Sequence, residues 1–227
     1  MDIVSEIRPI AHVESDFGTK FGIPRQAGLG EDLSATVVFE DDYRDPEALR
    51  GIEGYSHLWL IWQFSENVGR GWSPTVRPPR LGGNVRMGVF ATRSPFRPNS
   101  LGLSCVRLLG IEKTSDRGTV LKVAGADLMN GTPIFDIKPY LPYSDCITEA
   151  TEGYSPRPDC QLSVKFSAGT ERCFPKDKLS ALTAVLSCDP RPQYQNDPDR
   201  IYGMEFAGKD VRFKVNDDVL TVVEIRE

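Results

Sequence analysis

HLWLIW, residues 57–62, is the stretch of sequence that decides the fold. Its side chains are large and mostly apolar or aromatic, and it is too short for an ordinary helix, so it predicts a buried strand. Other short runs of this kind lie on either side of it, and glycine, proline or charged turns separate them. They are Ser34–Phe39, Met87–Thr92, Leu101–Val106, Thr119–Val123 and Ile134–Ile137. This series of short strands is typical of a β-sandwich or a β-barrel.

The C-terminal third of the sequence has a different pattern. Pro142, Gly153, Pro156 and Pro158 stand among small polar residues, which indicates a linker or a long surface loop. A strand-like run, an amphipathic helix and three more strand-like runs follow, at 162–166, 175–187, 200–206, 211–215 and 219–225. We therefore predict a mainly β protein, with a β-barrel domain over residues 1–145, a linker or long loop over 146–160, and a small α+β domain over 161–227.

Composition limits the classes of protein that are compatible with the chain. No apolar run among the 227 residues approaches the roughly 18–20 residues of a membrane helix. Met1–Glu6 carries acidic residues where a signal peptide carries basic ones, so we expect a cytoplasmic protein without a membrane partner. The five cysteines form no C-x-x-C pair and there are only two histidines, so we expect neither a disulfide framework nor a metal site.

Arginine is unevenly distributed along the chain. Residues 67–111, called the arginine segment below, contain seven arginines and no aspartate, glutamate or lysine, although the net charge of the chain is −5. Within it, RPPRLGGNVRMGVFATRSPFRPNSLGL (residues 77–103) combines arginines with prolines and glycines that fix a loop backbone. The planar guanidinium group binds phosphate and carboxylate and stacks on bases. The arginine segment therefore predicts a surface that binds anions or RNA.

The common catalytic motifs are absent from the sequence. It contains no G-x-x-x-x-G-K-[ST], no G-x-S-x-G and no H-E-x-x-H motif. Gly28 and Gly30 form a fragment of a glycine-rich loop, but no buried strand precedes them and no long helix follows. A Rossmann-type cofactor site is therefore not predicted.

The motif at residues 77–103 closely resembles the signature of the TsaA-like (TrmO) family of tRNA methyltransferases. Three more blocks are similar to it, namely FGIPRQ (21–26), GYSHLW (54–59) and DLMNGTPIFDIKPYLP (127–142). DPRPQY (189–194) resembles a motif in the tail of bacterial members. The resemblance is strong over residues 3–145 and looser in the tail.

This resemblance implies an S-adenosylmethionine-binding β-barrel that acts as a homodimer. Members of the family methylate N6 of the threonylcarbamoyl-adenosine beside the anticodon of threonine tRNA, so the implied partner is the anticodon stem-loop of that tRNA. Matching positions imply that the cofactor meets Pro24, Arg25, Gln26, Ser65, Glu66, Arg93, Leu103, Ala124, Gly125, Ala126 and Asp127. Many members carry a histidine at the position of Ser65.

Two of these residues, Arg93 and Asp127, are the candidates for catalysis. Arg93, like Arg25, suits the carboxylate of the cofactor. Asp127 suits the cofactor's ammonium or a ribose hydroxyl, and it is a candidate base for the weakly nucleophilic N6. Capping of the Asn130-Gly131 turn is an alternative role for the same side chain.

The expected tRNA contacts lie in the arginine segment and in the tail motif. They are Arg77, Arg80, Arg86, Arg97, Arg191 and Tyr194. Trp72, in a loop beside Gly71 and Pro74, is a further candidate for contact with RNA or with a second subunit. Trp59 and Trp62 are expected in the core.

Three alternatives remain open at this point. The first is an RNA-binding module without catalysis, for which the arginines suffice and a cofactor is not needed. The second is a methyltransferase for another substrate, because relatives that share the barrel need not share the RNA target. The third is a small-molecule hydrolase that uses Asp127 and His57, although the sequence has no nucleophile motif.

Overall fold

The computed structural model describes residues 5–24, 33–81, 83–151, 153, 154, 162–191, 195 and 197–227, and it leaves the side chain of Arg80 undescribed. The strands in these ranges are β1 (Ala11–Glu14), β2 (Ser34–Phe39), β3 (His57–Gln63), β4 (Thr75–Val76), β5 (Met87–Gly88), β6 (Leu101–Thr114), β7 (Gly118–Ala124), β8 (Pro133–Pro139), β9 (Ser163–Phe166), β10 (Tyr202–Phe206), β11 (Lys209–Asn216) and β12 (Val219–Arg226). The α-helices are α1 (Pro142–Asp145) and α2 (Lys176–Ser187). Single turns of 3₁₀-helix cover Asp41–Tyr43, Pro46–Leu49, Ile52–Gly54, Ser65–Asn67, Pro79–Leu81, Val89–Ala91 and Thr170–Cys173.

Six strands form a closed barrel in the order β1-β2-β7-β6-β3-β8. Every pairing is antiparallel, and the pairing of β1 with β8 that closes the ring is short, joining Ala11 to Ile134 and His12 to Pro133. On β3, Leu58, Leu60 and Trp62 alternate into the interior. They pack there with buried residues of the other strands, including Val13, Val37, Val106, Leu121, Val123 and Ile134.

Five of the six predicted barrel strands are confirmed. Each run from Ser34, His57, Leu101, Thr119 and Ile134 lies within a strand of the barrel, and β1 was not predicted. The prediction of a strand over Met87–Thr92 is wrong. The chain leaves the strand after Gly88 and forms a 3₁₀ turn, because the Val89 amide donates to the Pro74 carbonyl and the Val89 carbonyl accepts from the Thr92 side chain.

The expectation of a core position is confirmed for Trp62, which is 8% exposed. It is wrong for Trp59, which lies partly exposed on the outer face of β3. Residues three apart on a strand point to opposite sides of the sheet, so the two rings cannot share a face. The Trp59 indole N–H donates instead to the Asp145 carboxylate of α1 (2.9 Å). Hydrogen bonds from the Leu141 amide and from this indole lower the pKa of Asp145.

The C-terminal unit is a four-stranded sheet in the order β10-β11-β12-β9, with α2 packed on it. The predicted helix and the three predicted antiparallel strands are confirmed, and β9 adds to β12 in parallel. Asp217, in the tight turn between β11 and β12, has a φ of +49°. The core contains buried residues of both layers, including Leu182, Leu186, Phe206, Phe213 and Leu220. The mainly β fold with a small α+β unit after the barrel is thus as predicted.

The loop of residues 15–24 belongs to the barrel by sequence but packs in the core of the C-terminal unit. Phe17 is 1% exposed, and its ring lies edge-on to that of Phe206 with 5.7 Å between centroids. The Ala207 amide donates to the Asp16 carbonyl (2.8 Å), and Lys178 of α2 pairs with the Asp16 carboxylate (2.5 Å). The two units are therefore joined by more than the segment predicted as a linker.

No helix in the described ranges has both the length and the apolar character needed to cross a membrane, the longest being the 12-residue α2.

Candidate cofactor and RNA site

A cavity of about 800 Å³ opens at one end of the barrel, where β3 ends and β6 begins. Arg70 and five segments surround it: residues 20–24, 61–67, 92–97, 101–103 and 127–132. Its volume is within the range of about 300–1,000 Å³ that is usual for small-molecule sites. The loops at this end of the barrel therefore enclose a space suited to a cofactor or metabolite.

One wall of the cavity is a chain of hydrogen bonds that ends on a carboxylate. The Trp62 indole N–H donates to the Ser104 hydroxyl (3.0 Å), and that hydroxyl donates to Asp127 Oδ1 (2.5 Å). Ser104 is 1% exposed, whereas Asp127 is partly exposed and lines the cavity. The Ser104 oxygen accepts the hydrogen bond from the indole, so the Ser104 proton is directed towards the carboxylate.

The alternative role of Asp127 as a cap of the Asn130-Gly131 turn is not needed to hold that turn. The Asn130 amide donates to the Phe17 carbonyl (2.8 Å), and the Gly131 amide donates to the Val13 carbonyl (2.7 Å). The turn is thus held by backbone groups from the first strand and the loop after it.

An aromatic wall lies next to this chain. The rings of Trp62 and Phe64 meet edge-to-face with 4.3 Å between centroids. Gly102, opposite Trp62 on β6, makes room for the indole, because a Cβ there would lie 2.4 Å from Trp62 Cε2. Phe96 lines the opposite side of the opening and is 43% exposed. Aromatic rings with few, well-placed polar groups are typical of a site for a planar ligand.

Charges of both signs line the same cavity. Glu66 pairs with Lys20 across it (3.2 Å), and Arg70, Arg93 and Arg97 line it as well. The Arg97 guanidinium donates to the Thr92 carbonyl (2.7 Å) and to the Val89 carbonyl (3.3 Å), so it braces the loop of residues 89–97. Carboxylates beside guanidinium groups suit a ligand that has both an anionic and a cationic end.

Six of the residues predicted to bind the cofactor line this cavity: Pro24, Ser65, Glu66, Arg93, Leu103 and Asp127. Ala124, Gly125 and Ala126 do not line it; they are buried behind Asp127, where the Gly125 amide donates to the Leu33 carbonyl (2.9 Å). Arg25 and Gln26 lie outside the described residues. The fold thus brings together positions that are more than 100 residues apart in sequence.

The predicted RNA-binding arginines whose side chains are described lie in three different environments: an exposed hairpin, the cavity and a buried ion pair. Arg77 follows β4 and Arg86 precedes β5, and since Val76 pairs with Met87, the two exposed arginines flank the same hairpin. Arg97 lies at the cavity. Arg191 is only 9% exposed and donates to both oxygens of the Asp189 carboxylate (2.9 Å each), hydrogen bonds that raise the pKa of its guanidinium. Tyr194 and the side chain of Arg80 lie outside the described residues.

Sequence reasoning missed several residues of the site, above all Ser104 and the aromatic residues Phe64 and Phe96. Ser104 carried a readable signal: on β6 it shares the inward face with Val106, and a buried hydroxyl among apolar side chains requires a partner. Phe64 and Phe96 carried no such signal, because they lie in loops, where the sequence has no hydrophobic periodicity.

No cluster of three or more histidine, cysteine, aspartate or glutamate side chains that could hold a metal ion occurs within the ranges described. The third predicted alternative paired Asp127 with His57. His57 lies at the far end of β3 from the cavity, where its Nδ1 contacts the Ser56 hydroxyl (2.9 Å), so the structure does not bring the two together.

Comparison with known proteins gives consistent matches over both units. The family model of the tRNA-methyltransferase O N-terminal domain matches residues 12–146, and that of the TrmO C-terminal domain matches residues 159–227. The tRNA (adenine(37)-N6)-methyltransferase of Escherichia coli K12 is 38% identical over 222 residues, covering 93% of this chain and 94% of that protein. A Pseudomonas aeruginosa protein provisionally named S-adenosylmethionine-dependent methyltransferase RcsF is 36% identical over 228 residues, covering 96% of each chain.

Solved structures agree with these sequence matches. A crystal structure of TrmO superimposes with a TM-score of 0.81 and 32% identity, covering 99% of this chain and 100% of that one. The TrmO structure from Pseudomonas aeruginosa gives a TM-score of 0.80 with 31% identity over the same shares. Because both domain models match and relatives align along nearly the whole chain, this protein belongs to the tRNA-methyltransferase O (TrmO) family.

Proposed function

We propose that this protein is an S-adenosylmethionine-dependent methyltransferase that methylates N6 of adenosine 37, beside the anticodon of tRNA. The observation that carries the proposal is the cavity, in which Asp127, Arg93, Glu66 and an aromatic wall converge at the edge of the arginine segment. An RNA-binding module without catalysis needs no mixed-charge cavity of this size. The Escherichia coli relative whose name states this reaction aligns with 93% of the chain, which supports the proposal further.

The residues of the cavity fit S-adenosylmethionine. Arg93 is placed to bind a carboxylate, and Glu66 to bind an ammonium group or ribose hydroxyls. Trp62, Phe64 and Phe96 offer apolar surface for an adenine. When bound, the cofactor supplies a methyl group made electrophilic by the positively charged sulfur.

The chemical task left to the protein is to position the adenine N6 and to remove its proton. A threonylcarbamoyl group on N6 withdraws the nitrogen lone pair into the ureido carbonyl, so removal of the proton is needed for attack. We assign that role to Asp127, whose carboxylate is oriented by Ser104 and faces the cavity. Positioning of the two reactants is known to supply effective molarities of about 10⁵–10⁸ M.

The charges around the opening support a finer proposal for the substrate. A threonyl carboxylate on the target base needs a cation, and Arg97, at the cavity, and Arg86, on the hairpin, are the candidates. We propose that Arg77 and Arg80 contact the phosphates of the anticodon stem-loop, and that the tail motif containing Arg191 and Tyr194 contacts the target nucleotide. We propose threonine tRNA carrying threonylcarbamoyl-adenosine as the substrate and a cytoplasmic homodimer as the active form.

The first test is S-adenosylmethionine binding by calorimetry on the wild type and on Arg93→Ala. We expect micromolar binding by the wild type and a loss of about tenfold or more in the variant, because one charge-assisted contact is removed. Arg107→Ala is the matched control, since Arg107 is exposed on β6 and does not line the cavity. It should leave the cofactor affinity unchanged.

Methyl transfer then identifies the substrate. Radiolabelled methyl groups should pass to threonine tRNA that carries threonylcarbamoyl-adenosine, and not to the same transcript without the modification. Equal transfer to both would contradict the finer substrate assignment. Absence of cofactor binding, with and without tRNA, would contradict the proposed function itself.

A further inference from the structure

Phe90 is the most exposed large apolar residue of the arginine segment, with 74% of its surface accessible. Its neighbour Val89 is 1% exposed and anchors the turn, so the backbone that carries the Phe90 side chain is fixed in position. The backbone of this turn is held by the Val89 amide bonded to Pro74 (3.0 Å) and the Thr92 amide bonded to Val89 (3.1 Å). An apolar ring exposed to water on a fixed backbone turn, within a segment that contains no acidic residue, requires an explanation.

A guanidinium group lies beside this ring. Arg97 Cζ is 5.9 Å from the centroid of Phe90, within the range of a cation–π contact. The same guanidinium is fixed by the carbonyls of Val89 and Thr92. Ring and cation thus form one preorganised unit, which loses little side-chain entropy when a ligand binds.

This unit adjoins the cavity. Thr92, Arg93 and Arg97 line the cavity, and Phe90 precedes Thr92 by two residues, so their Cα atoms are at most about 8 Å apart. Trp72 (54% exposed) and Phe96 (43% exposed) belong to the same loop system, which the Ser73 amide joins to the Phe96 carbonyl (3.3 Å). A nucleotide next to one held in the cavity is therefore within reach of the Phe90 ring.

We infer that Phe90, with Arg97, is a stacking platform for an unpaired base that flanks the adenosine to be methylated. The inference rests on the proposed function and adds a binding residue to it. An aromatic ring binds the face of any base, and single-stranded RNA loops are recognised in this way. The surrounding charge favours a nucleic acid over a protein, because residues 67–111 contain seven arginines and no acidic residue.

The test is binding of an anticodon stem-loop of threonine tRNA to wild type, Phe90→Ala, Phe90→Leu and Phe90→Tyr. Stacking predicts a Kd about tenfold higher for the Ala and Leu variants and near wild type for Tyr, since only Tyr keeps an aromatic face. The affinity for S-adenosylmethionine and the slope of log Kd against log salt should stay at the wild-type values, because no phosphate contact is lost. With 2-aminopurine beside the target adenosine, binding should quench its fluorescence in the wild type and not in Phe90→Ala.

Tyr143→Ala provides the matched control. Tyr143 is 88% exposed on α1, outside the arginine segment, and its removal should leave Kd and quenching unchanged. Equal stem-loop binding by Phe90→Ala and wild type would overturn the inference and leave the proposed function intact. Weaker binding accompanied by a change of oligomeric state in sedimentation would also overturn it, since Phe90 would then be a subunit contact. A wild type that binds no stem-loop contradicts the proposed function itself.

Discussion

At the scale of single residues, the orientation of Asp127 depends on a hydroxyl that itself lies out of the solvent. Ser104 accepts from the Trp62 indole (3.0 Å) and donates to Asp127 Oδ1 (2.5 Å). Ser104→Ala removes both contacts and leaves a buried indole N–H without its acceptor, which costs about 1–3 kcal/mol of stability. If Asp127 takes the N6 proton, the variant should lower kcat about tenfold or more while changing the affinity for S-adenosylmethionine little.

A double-mutant cycle separates this role from a loss of packing. Asp127→Asn should reduce kcat by about 10²–10⁴-fold with normal cofactor affinity, as expected on removal of a general base. In that background Ser104→Ala should have no further effect on kcat, whereas two independent effects would multiply. Ser104→Thr keeps the hydroxyl and should recover most of the activity. Full activity of Asp127→Asn would remove the assigned role and leave the carboxylate a binding group.

At the scale of secondary-structure elements, β3 and β6 build the aromatic wall only because one position on β6 lacks a side chain. A Cβ on Gly102 would lie 2.4 Å from two atoms of the Trp62 ring, and a rigid indole cannot bend away. Gly102→Ala should therefore displace Trp62 and break its hydrogen bond to Ser104. We expect a loss of about 1–3 kcal/mol in unfolding free energy, typical of overpacking, and at least tenfold weaker cofactor binding by calorimetry.

Gly110 on the same strand is the control for this substitution. No atom lies within 4 Å of the position that its Cβ would take, and its φ is not in the left-handed region. Gly110→Ala should keep cofactor affinity and leave stability unchanged or raise it by about 0.5–1 kcal/mol, since glycine is unfavourable in a strand. Similar losses in both variants would show that strand β6 tolerates no methyl group, and would count against a specific role for Gly102.

The elements also show what could be predicted from the sequence. Strands such as Ser34–Phe39 and His57–Gln63 follow from their apolar residues, because a buried strand has a local signature. Met87–Thr92 is similarly apolar but turns after Gly88, since hydrogen bonds from the Val89 amide to the Pro74 carbonyl and from the Thr92 hydroxyl to the Val89 carbonyl outweigh propensity. The six cavity residues that were predicted came from resemblance to a family. The inward position of Ser104 was readable from β6, but its hydrogen-bond partners Trp62 and Asp127 come from distant segments and were not. Phe64 was missed because its loop has no periodicity.

At the scale of the whole molecule, the C-terminal unit supports one wall of the cavity. Residues 15–24 leave the barrel, pack through Phe17 against Phe206, and return to the cavity at Pro24. Gly18 and Gly22 lie close against Glu205 and Met204 of β10, where a Cβ would lie 2.2 Å and 2.5 Å from side-chain atoms. Contacts with β10 and α2 thus fix the position of the Pro24 loop. A C-terminal unit attached to the barrel only by a linker would not fix it.

The ion pair between Lys178 and Asp16 makes this dependence testable on the full-length protein. Its side chains are only 30% and 17% exposed, so it is better shielded from water than a surface pair. Lys178→Ala should lower the melting temperature by about 2–4 °C, as expected for a loss of about 1 kcal/mol in a protein of this size. It should also increase hydrogen exchange at the amides of residues 15–24 and weaken S-adenosylmethionine binding severalfold, because the loop must be ordered again on binding.

Lys176→Ala, two residues earlier on the same helix and exposed, should change none of these quantities. A fall in melting temperature with unchanged exchange in the loop would mean that the pair stabilises α2 alone, and that the cavity wall does not depend on the C-terminal unit through this contact.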